Sequence, residues 1–127
     1  MSEEAEEQGL LQANLATLNL EGNLLRDVGA EALAASPHLA NLTTLELGFN
    51  KIFDQGAAAL AASPYLSNLT TLNLEYNHIH DCGAEVLASS PHLQNLTELY
   101  LQDNGITPDT ITKVKKTVTS RNPGRQP

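Results

Sequence analysis

A segment of 27 residues repeats along this chain without insertions, and this repeat limits the folds that the sequence can adopt. Three full copies occupy residues 15–41, 42–68 and 69–95, and a fourth begins at Leu96 and departs from the pattern after Ile106. Self-similarity at such a period indicates stacked units, each of which buries its apolar face against its neighbours. The sequence therefore predicts one domain built as a stack of about four coils.

Each unit is predicted to contain a short strand, a turn, a helix and a second turn. In the third copy, Leu72 and Leu74 alternate as in a strand with one buried face. A helix is predicted from Asp81, whose carboxylate can cap its start. Ser90-Pro91 ends this helix, because proline disfavours a helical residue before it. A right-handed coil of such units has a parallel sheet on one side and helices on the other.

The strand pattern L-x-x-L-x-L-x-x-N-x-I/L, followed by D-x-G-A-x-x-L, resembles the leucine-rich repeats of the ribonuclease-inhibitor-like class. The resemblance covers about residues 15–106, with four copies in register. It implies a right-handed α/β solenoid, a horseshoe segment with a concave parallel sheet and convex helices. It also implies a role as a protein-binding scaffold, but it names no partner.

The limits of the repeat divide the chain into three segments. Residues 1–8 contain four glutamates and no strong apolar anchor, so they are predicted to be a flexible acidic tail. Residues 9–106 are the repeat coils, and residues 9–14 are expected to form a lid over the first coil. Residues 107–127 are predicted to be a capping helix and tail, because Thr107-Pro108 is a helix start signal and Ile111, Val114 and Val118 form one apolar face.

Composition restricts the partners and the compartment. Fifteen acidic residues against seven basic ones give a formal charge of −8, which argues against nucleic acid as a partner. No apolar run approaches the ~20 residues of a membrane span, so no membrane partner is expected. The acidic N-terminus lacks a signal-peptide pattern, and the single cysteine, Cys82, fits a reducing compartment. A cytoplasmic location is expected.

One asparagine recurs at the same position of every copy, where the chain turns after each strand. An amide side chain both donates and accepts, so stacked asparagines can satisfy the backbone groups of the turn from coil to coil. A structural role, without catalysis, is therefore predicted for the asparagine ladder, which consists of Asn23, Asn50, Asn77 and Asn104.

The sequence favours a protein that is not an enzyme and has no cofactor. It contains no nucleophile-elbow motif and no glycine-rich phosphate loop. His78, His80 and Cys82 alternate as metal ligands can, but the equivalent residues in the preceding copy are not ligands and a structural zinc site needs four, so no metal is expected. Three N-L-T triplets match the glycosylation pattern, at Asn41, Asn68 and Asn95, and are interpreted as turn residues.

The candidate partner-binding surface comprises the strand residues that point away from the leucines. Aromatic side chains there are surrounded by carboxylates, and an aromatic centre with a charged rim is typical of binding patches. The residues predicted to contact a partner are Glu46, Phe49, Glu75, Tyr76, Glu98, Tyr100 and Asp103. An ordinary solvated sheet face is the alternative.

These observations predict an interaction module that binds a basic or polar protein partner. One alternative is a structural role in which the first coil self-associates with another molecule. Because the copies are so similar, a consensus-type scaffold without a natural partner is another. A GTPase regulator is a further alternative, since some proteins with similar repeats activate GTPases; Arg26 and Lys51 are the cations on the repeat loops.

Overall fold

The computed structural model describes residues 15–121 and contains four strand–helix units. The strands are β1 (Thr17–Asn19), β2 (Thr44–Glu46), β3 (Thr71–Asn73) and β4 (Glu98–Tyr100). The helices are α1 (Arg26–Ala34), α2 (Asp54–Ala61), α3 (Asp81–Ser89) and α4 (Pro108–Thr119), and short 3₁₀ turns lie at Pro37–Leu39 and Pro64–Leu66. The tail predicted at 1–8, the lid predicted at 9–14 and residues 122–127 lie outside the described residues.

The four strands form one parallel sheet in the order β1-β2-β3-β4. In the register, Leu18 is opposite Leu45, Leu45 is opposite Leu72, and Leu72 is opposite Leu99. Each strand is followed by a helix, and the four helices pack against one another in chain order. The predicted α/β solenoid is therefore confirmed.

The core lies between the sheet and the helices, and its side chains are most completely buried in the middle coils. Leu45, Leu72 and Ile79 are fully buried, whereas Leu18 and Leu99 are partly buried because β1 and β4 each pair with one strand in the described part. Full burial of such a side chain contributes roughly 1.5–3 kcal/mol before conformational entropy is subtracted. The turns after the helices add a buried leucine column that the sequence analysis does not single out, Leu39, Leu66 and Leu93.

The predicted cap at Asp81 is wrong, because this residue connects two coils. It is the first residue of α3 and makes no capping bond to its own helix. Its carboxylate instead accepts hydrogen bonds from the backbone N–H and the hydroxyl of Thr107, each at 2.8 Å. Asp27 and Asp54 accept equivalent bonds at 2.7 Å from the N–H groups of Phe53 and His80. These three aspartates form a carboxylate ladder along the solenoid.

Helix α4 lies where the capping helix is predicted, at the end of the repeats. Val114 and Val118 are buried, and Ile111 is partly buried against the core. The Arg121 guanidinium then donates to the carbonyl of Leu93 at 3.0 Å and to that of Ala88. Burial lowers the pKa of Arg121, which is consistent with a guanidinium held against the protein. Within residues 15–121, no helix is long and apolar enough to span a membrane.

Candidate protein-binding surface

The asparagine ladder fixes the turn that follows each strand. The Asn77 amide donates to the carbonyls of Leu47 and Leu74, both at 3.0 Å. Its oxygen accepts from the backbone N–H groups of Asn50 and Ile52, also at 3.0 Å. Asn50 makes the same set of bonds one coil earlier. The position of every residue beside the ladder is therefore set by bonds to the neighbouring coil.

The residue before each ladder asparagine adopts a left-handed backbone conformation. Phe49 has φ +57° and Tyr76 has φ +55°, while Gly22 and Asp103 occupy the same column at φ +71° and +60°. Glycine adopts this conformation without strain, but other residues incur roughly 1–2 kcal/mol. The Phe49 N–H donates to the Glu75 carbonyl at 3.1 Å, and this bond to the next coil holds the backbone in place. Bulky aromatic residues thus occupy strained positions in the two central coils.

Phe49 and Tyr76 form a stacked pair at the surface. Their ring centroids are 4.2 Å apart, and the ring planes differ by 11°. Phe49 is 50% exposed and Tyr76 is 47% exposed, so the pair presents a continuous aromatic surface to solvent. Hydrogen bonding to the Asp103 carboxylate is the main cause that raises the pKa of Tyr76. The column therefore runs from Phe49 through Tyr76 to a carboxylate.

We call the surface made by this column and the outward-facing strand residues the strand face. It carries several carboxylates and no lysine or arginine, and its residues are Thr17, Asn19, Glu21, Gly22, Thr44, Glu46, Gly48, Phe49, Thr71, Asn73, Glu75, Tyr76, Glu98, Tyr100, Gln102 and Asp103. The Asn73 amide donates to Glu46 at 2.9 Å, and the Tyr100 hydroxyl donates to Glu98 at 2.7 Å. These bonds hold two of the carboxylates in defined positions.

The strand face has the chemistry to contact cationic side chains. Aromatic faces attract lysine and arginine through cation–π interactions, and carboxylates form charge-assisted hydrogen bonds with both. Of the residues predicted to bind a partner, Phe49, Tyr76 and Asp103 lie in one column, whereas Glu98 and Tyr100 form a separate pair. The backbone strain at Phe49 and Tyr76 was not predicted from the sequence. The signal that could have indicated it is Gly22, a glycine at the equivalent position of the first coil.

The other motifs considered in the sequence are distributed over the turns. His78 stacks on Phe53, with centroids 4.8 Å apart, while His80 packs against Gly105. In the part of the chain that the structure describes, no group of three or more His, Cys, Asp or Glu side chains is arranged to hold a metal ion. Asn68 and Asn95, from the N-L-T triplets, donate to the carbonyls of Ala40 and Ser67 in the preceding coil, at 2.7 and 2.9 Å.

Comparison with known proteins identifies the family. One similar solved structure, described as "Leiomodin-1 Actin-Binding Site 2 (ABS2)", has a TM-score of 0.60 and 17% sequence identity, and the match covers 94% of this chain and 90% of that one. At this identity the similarity shows a shared fold. No curated protein sequence matches the chain. A family model described as leucine-rich repeat matches four segments, residues 12–34, 38–61, 65–88 and 92–111. The chain therefore belongs to the leucine-rich repeat family.

Proposed function

We propose that this chain is a non-catalytic protein-interaction module whose strand face binds a basic segment of a partner protein. The observation that carries the proposal is the exposed Phe49–Tyr76 stack, which lies among carboxylates on a face without lysine or arginine. A lysine or arginine side chain of the partner can lie over the rings while its charge contacts Glu46, Glu75 or Asp103. We further propose a cytoplasmic location, because a single-cysteine chain suits a reducing compartment.

Backbone strain supports a functional interpretation of the two aromatic residues. Gly22 occupies the same column in the first coil, so the repeat does not require an aromatic side chain there. Strained residues persist where the surrounding structure holds them, and they cluster at binding sites. Two aromatic residues at positive φ, both half exposed, are better explained by contact with a partner than by stability.

The dimensions of the strand face indicate a modest affinity. Four strands at about 4.8 Å spacing give a face only ~15–20 Å across. A face of this width offers less than the ~800 Å² per partner of a standard stable interface. We therefore expect micromolar binding unless the partner also contacts the loops.

The test uses a lysine- and arginine-rich decapeptide with one central leucine as a probe, titrated by isothermal calorimetry. Changing Phe49, Tyr76 or Tyr100 to alanine should each weaken binding by ~1–3 kcal/mol, and the triple variant should show no binding. The matched control changes Tyr65 and Val86, which are exposed to a similar degree elsewhere, to alanine. Circular dichroism checks that every variant is folded. A triple variant that binds as tightly as the parent would contradict the proposal.

The charge contribution is tested separately. Glu46→Gln with Glu75→Gln should slow association and reduce its salt dependence, because carboxylates steer a basic partner. Glu31→Gln with Glu85→Gln removes the same charge from helices α1 and α3 and serves as the control. An equal effect from both pairs would show that net charge alone, and not the strand face, attracts the peptide.

Two further measurements address other candidate partners. The leiomodin-1 structure that shares this fold is described as an actin-binding site, so actin is a suitable folded protein to include as a second probe. Light scattering over a range of concentrations examines self-association, the alternative in which another copy covers the first coil. A molecular mass that rises with concentration in both the parent and the triple aromatic variant would favour that alternative.

A further inference from the structure

A second surface, opposite in charge to the strand face, lies on the loops between the strands and the helices. Arg26, Asp27, Val28, Lys51, Phe53 and His78 line a groove with a volume of about 510 Å³. We call it the loop groove. Ligand sites typically span about 300–1,000 Å³, so the loop groove can hold a few side chains of an extended segment. The buried asparagines Asn50 and Asn77 separate it from the Phe49–Tyr76 column along the chain.

The charge in the loop groove differs from that of the rest of the repeats. Between residues 15 and 106 the sequence has ten acidic residues and two basic ones, Arg26 and Lys51, and both line this groove. The one ion pair within residues 15–121 joins Lys113 and Glu85, so within this part of the chain neither groove cation is paired with a carboxylate. The Asp27 carboxylate already accepts the Phe53 N–H at 2.7 Å. Two cations are therefore available to an anionic partner.

The loop groove also has an apolar wall. Val28 is 76% exposed and Phe53 is 49% exposed. The Phe53 ring stacks on the His78 imidazole, with the ring planes inclined by 22°. An arrangement of apolar wall and cations fits an apolar side chain that has carboxylates on either side of it.

The backbone at both basic residues is held in a defined conformation. Arg26 has φ +60° and Lys51 has φ +56°, in the left-handed region that non-glycine residues rarely adopt. The Arg26 N–H donates to the Asn50 carbonyl at 2.8 Å, which ties this loop to the next coil. On either side of Lys51, the N–H groups of Asn50 and Ile52 donate to Asn77 of the next coil, at 3.0 Å. Both side chains therefore project from a backbone that bonds to the neighbouring coil, which lowers the backbone entropy lost on binding.

We propose that the loop groove is a second binding surface, and that its occupant is an acidic segment of another protein with a central apolar residue. The apolar side chain lies against Val28 and Phe53, and the flanking carboxylates contact Arg26 and Lys51. This surface is independent of the strand face, so the same module binds a basic segment at one site and an acidic segment at the other.

The experiment titrates the full chain into a fluorescein-labelled pentapeptide with one central apolar residue, Asp-Glu-Leu-Asp-Glu, and measures fluorescence polarisation at low and high salt. Arg26→Asn with Lys51→Asn should weaken binding roughly five- to tenfold, the value expected for the loss of two exposed ion pairs. Asparagine is chosen because it tolerates a positive φ better than most residues. Phe53→Ala should weaken binding without changing its salt dependence. The control, Lys115→Gln with Lys116→Gln on α4, removes the same charge and should change little.

Several outcomes would overturn this proposal. One is an unchanged polarisation at millimolar protein, and another is an equal loss in the α4 control, which would indicate nonspecific attraction. Binding abolished by Phe49→Ala and Tyr76→Ala, but unaffected by Phe53→Ala, would move the peptide to the strand face. If the peptide binds only after dilution has dissociated a dimer, the groove is occupied by a second copy of this chain. The assignment of an acidic segment of another protein would then be wrong.

Discussion

The asparagine ladder shows how one residue type serves the same turn in different environments. Asn50 and Asn77 are buried, and the Asn77 amide alone makes five hydrogen bonds, which join its own turn to the preceding coil. Asn23, in the first coil, is exposed, and its amide donates within its own turn. Water can replace the bonds of an exposed amide, whereas it cannot reach those of a buried one. The energetic contribution of the ladder should therefore depend on the coil.

Asn77→Ala and Asn23→Ala form a matched pair for this difference. Removing the Asn77 oxygen leaves the buried N–H groups of Asn50 and Ile52 without a partner, at about 1–3 kcal/mol each. We expect Asn77→Ala to lower the free energy of unfolding by at least about 2 kcal/mol, and Asn23→Ala by less than about 1 kcal/mol. Urea denaturation measures both. Equal losses would show that burial does not set the role of the ladder.

The strained aromatic residues lead to a prediction that separates stability from binding. The double change Phe49→Asn with Tyr76→Asn relieves part of the backbone strain, which is roughly 1–2 kcal/mol per residue. It also removes the stacking interaction, which contributes about 0.5–1.5 kcal/mol. We expect the double variant to unfold within about 1 kcal/mol of the parent while losing affinity for the basic peptide. Phe49→Val is the contrast, because a β-branched residue at positive φ should destabilise the fold. A large loss of stability in the asparagine variant would instead assign the aromatic residues to the fold.

The sequence predicts the roles of these residues to different degrees. The donor and acceptor groups of an amide are known from its chemistry, so a structural asparagine in every turn follows directly from the repeat. The left-handed φ of Phe49 and Tyr76 cannot be predicted in this way, because aromatic residues ordinarily avoid that region. Only the coil-to-coil bonds of the folded solenoid impose it.

The helices depend on the coils beside them. Helices α1, α2 and α3 have eight or nine residues, and isolated helices shorter than about 12–15 residues are marginal in water. The carboxylate ladder helps to hold them, since each aspartate at a helix start binds the backbone of the following coil. Capping rules consider residues two or three positions apart, so they assign Asp81 to its own helix and miss a partner 26 residues later.

Asp81 should make the attachment of helix α4 sensitive to acid. The hydrogen bond from the backbone N–H of Thr107 is the main cause that lowers the pKa of Asp81 below its ordinary value of 3.8, and the bond from the Thr107 hydroxyl lowers it further. A carboxylate whose pKa is lowered in the folded state stabilises the fold at pH values above its ordinary pKa. This contribution is lost as the pH falls through the lowered folded-state pKa. We expect Asp81→Asn to lower Tm clearly near pH 5, and the difference from the parent to shrink as the pH falls below 3.8.

Asp109→Asn is the control for this pH dependence, because Asp109 lies in the first turn of α4, the helix to which Asp81 bonds. Its difference from the parent should be small at both pH values. If the Asp81→Asn difference stays constant with pH, the carboxylate does not provide the acid-sensitive attachment.

At the scale of the whole molecule, the two proposed binding surfaces differ in charge. The strand face carries carboxylates around aromatic rings, and the loop groove contains Arg26 and Lys51. The repeat predicts the sheet, the order of the strands and the strand residues that face outward, since a fixed period makes every coil equivalent. It does not predict the loop groove, because Phe53 and His78 come from different coils and meet through a stacking contact between them. The identity of a partner depends on a second molecule and cannot follow from this chain.

The proposed binding face can be tested directly because the chain has two phenylalanines, three tyrosines and no tryptophan. Phe49, Tyr76 and Tyr100 lie on the strand face, whereas Phe53 and Tyr65 lie outside it and serve as internal controls. We would record aromatic ¹H–¹³C spectra while adding the lysine- and arginine-rich decapeptide. The resonances of Phe49, Tyr76 and Tyr100 should shift with one common dissociation constant, and those of Phe53 and Tyr65 should stay in place. Shifts at Phe53 or Tyr65 with an unchanged Phe49–Tyr76 pair would contradict binding at the strand face.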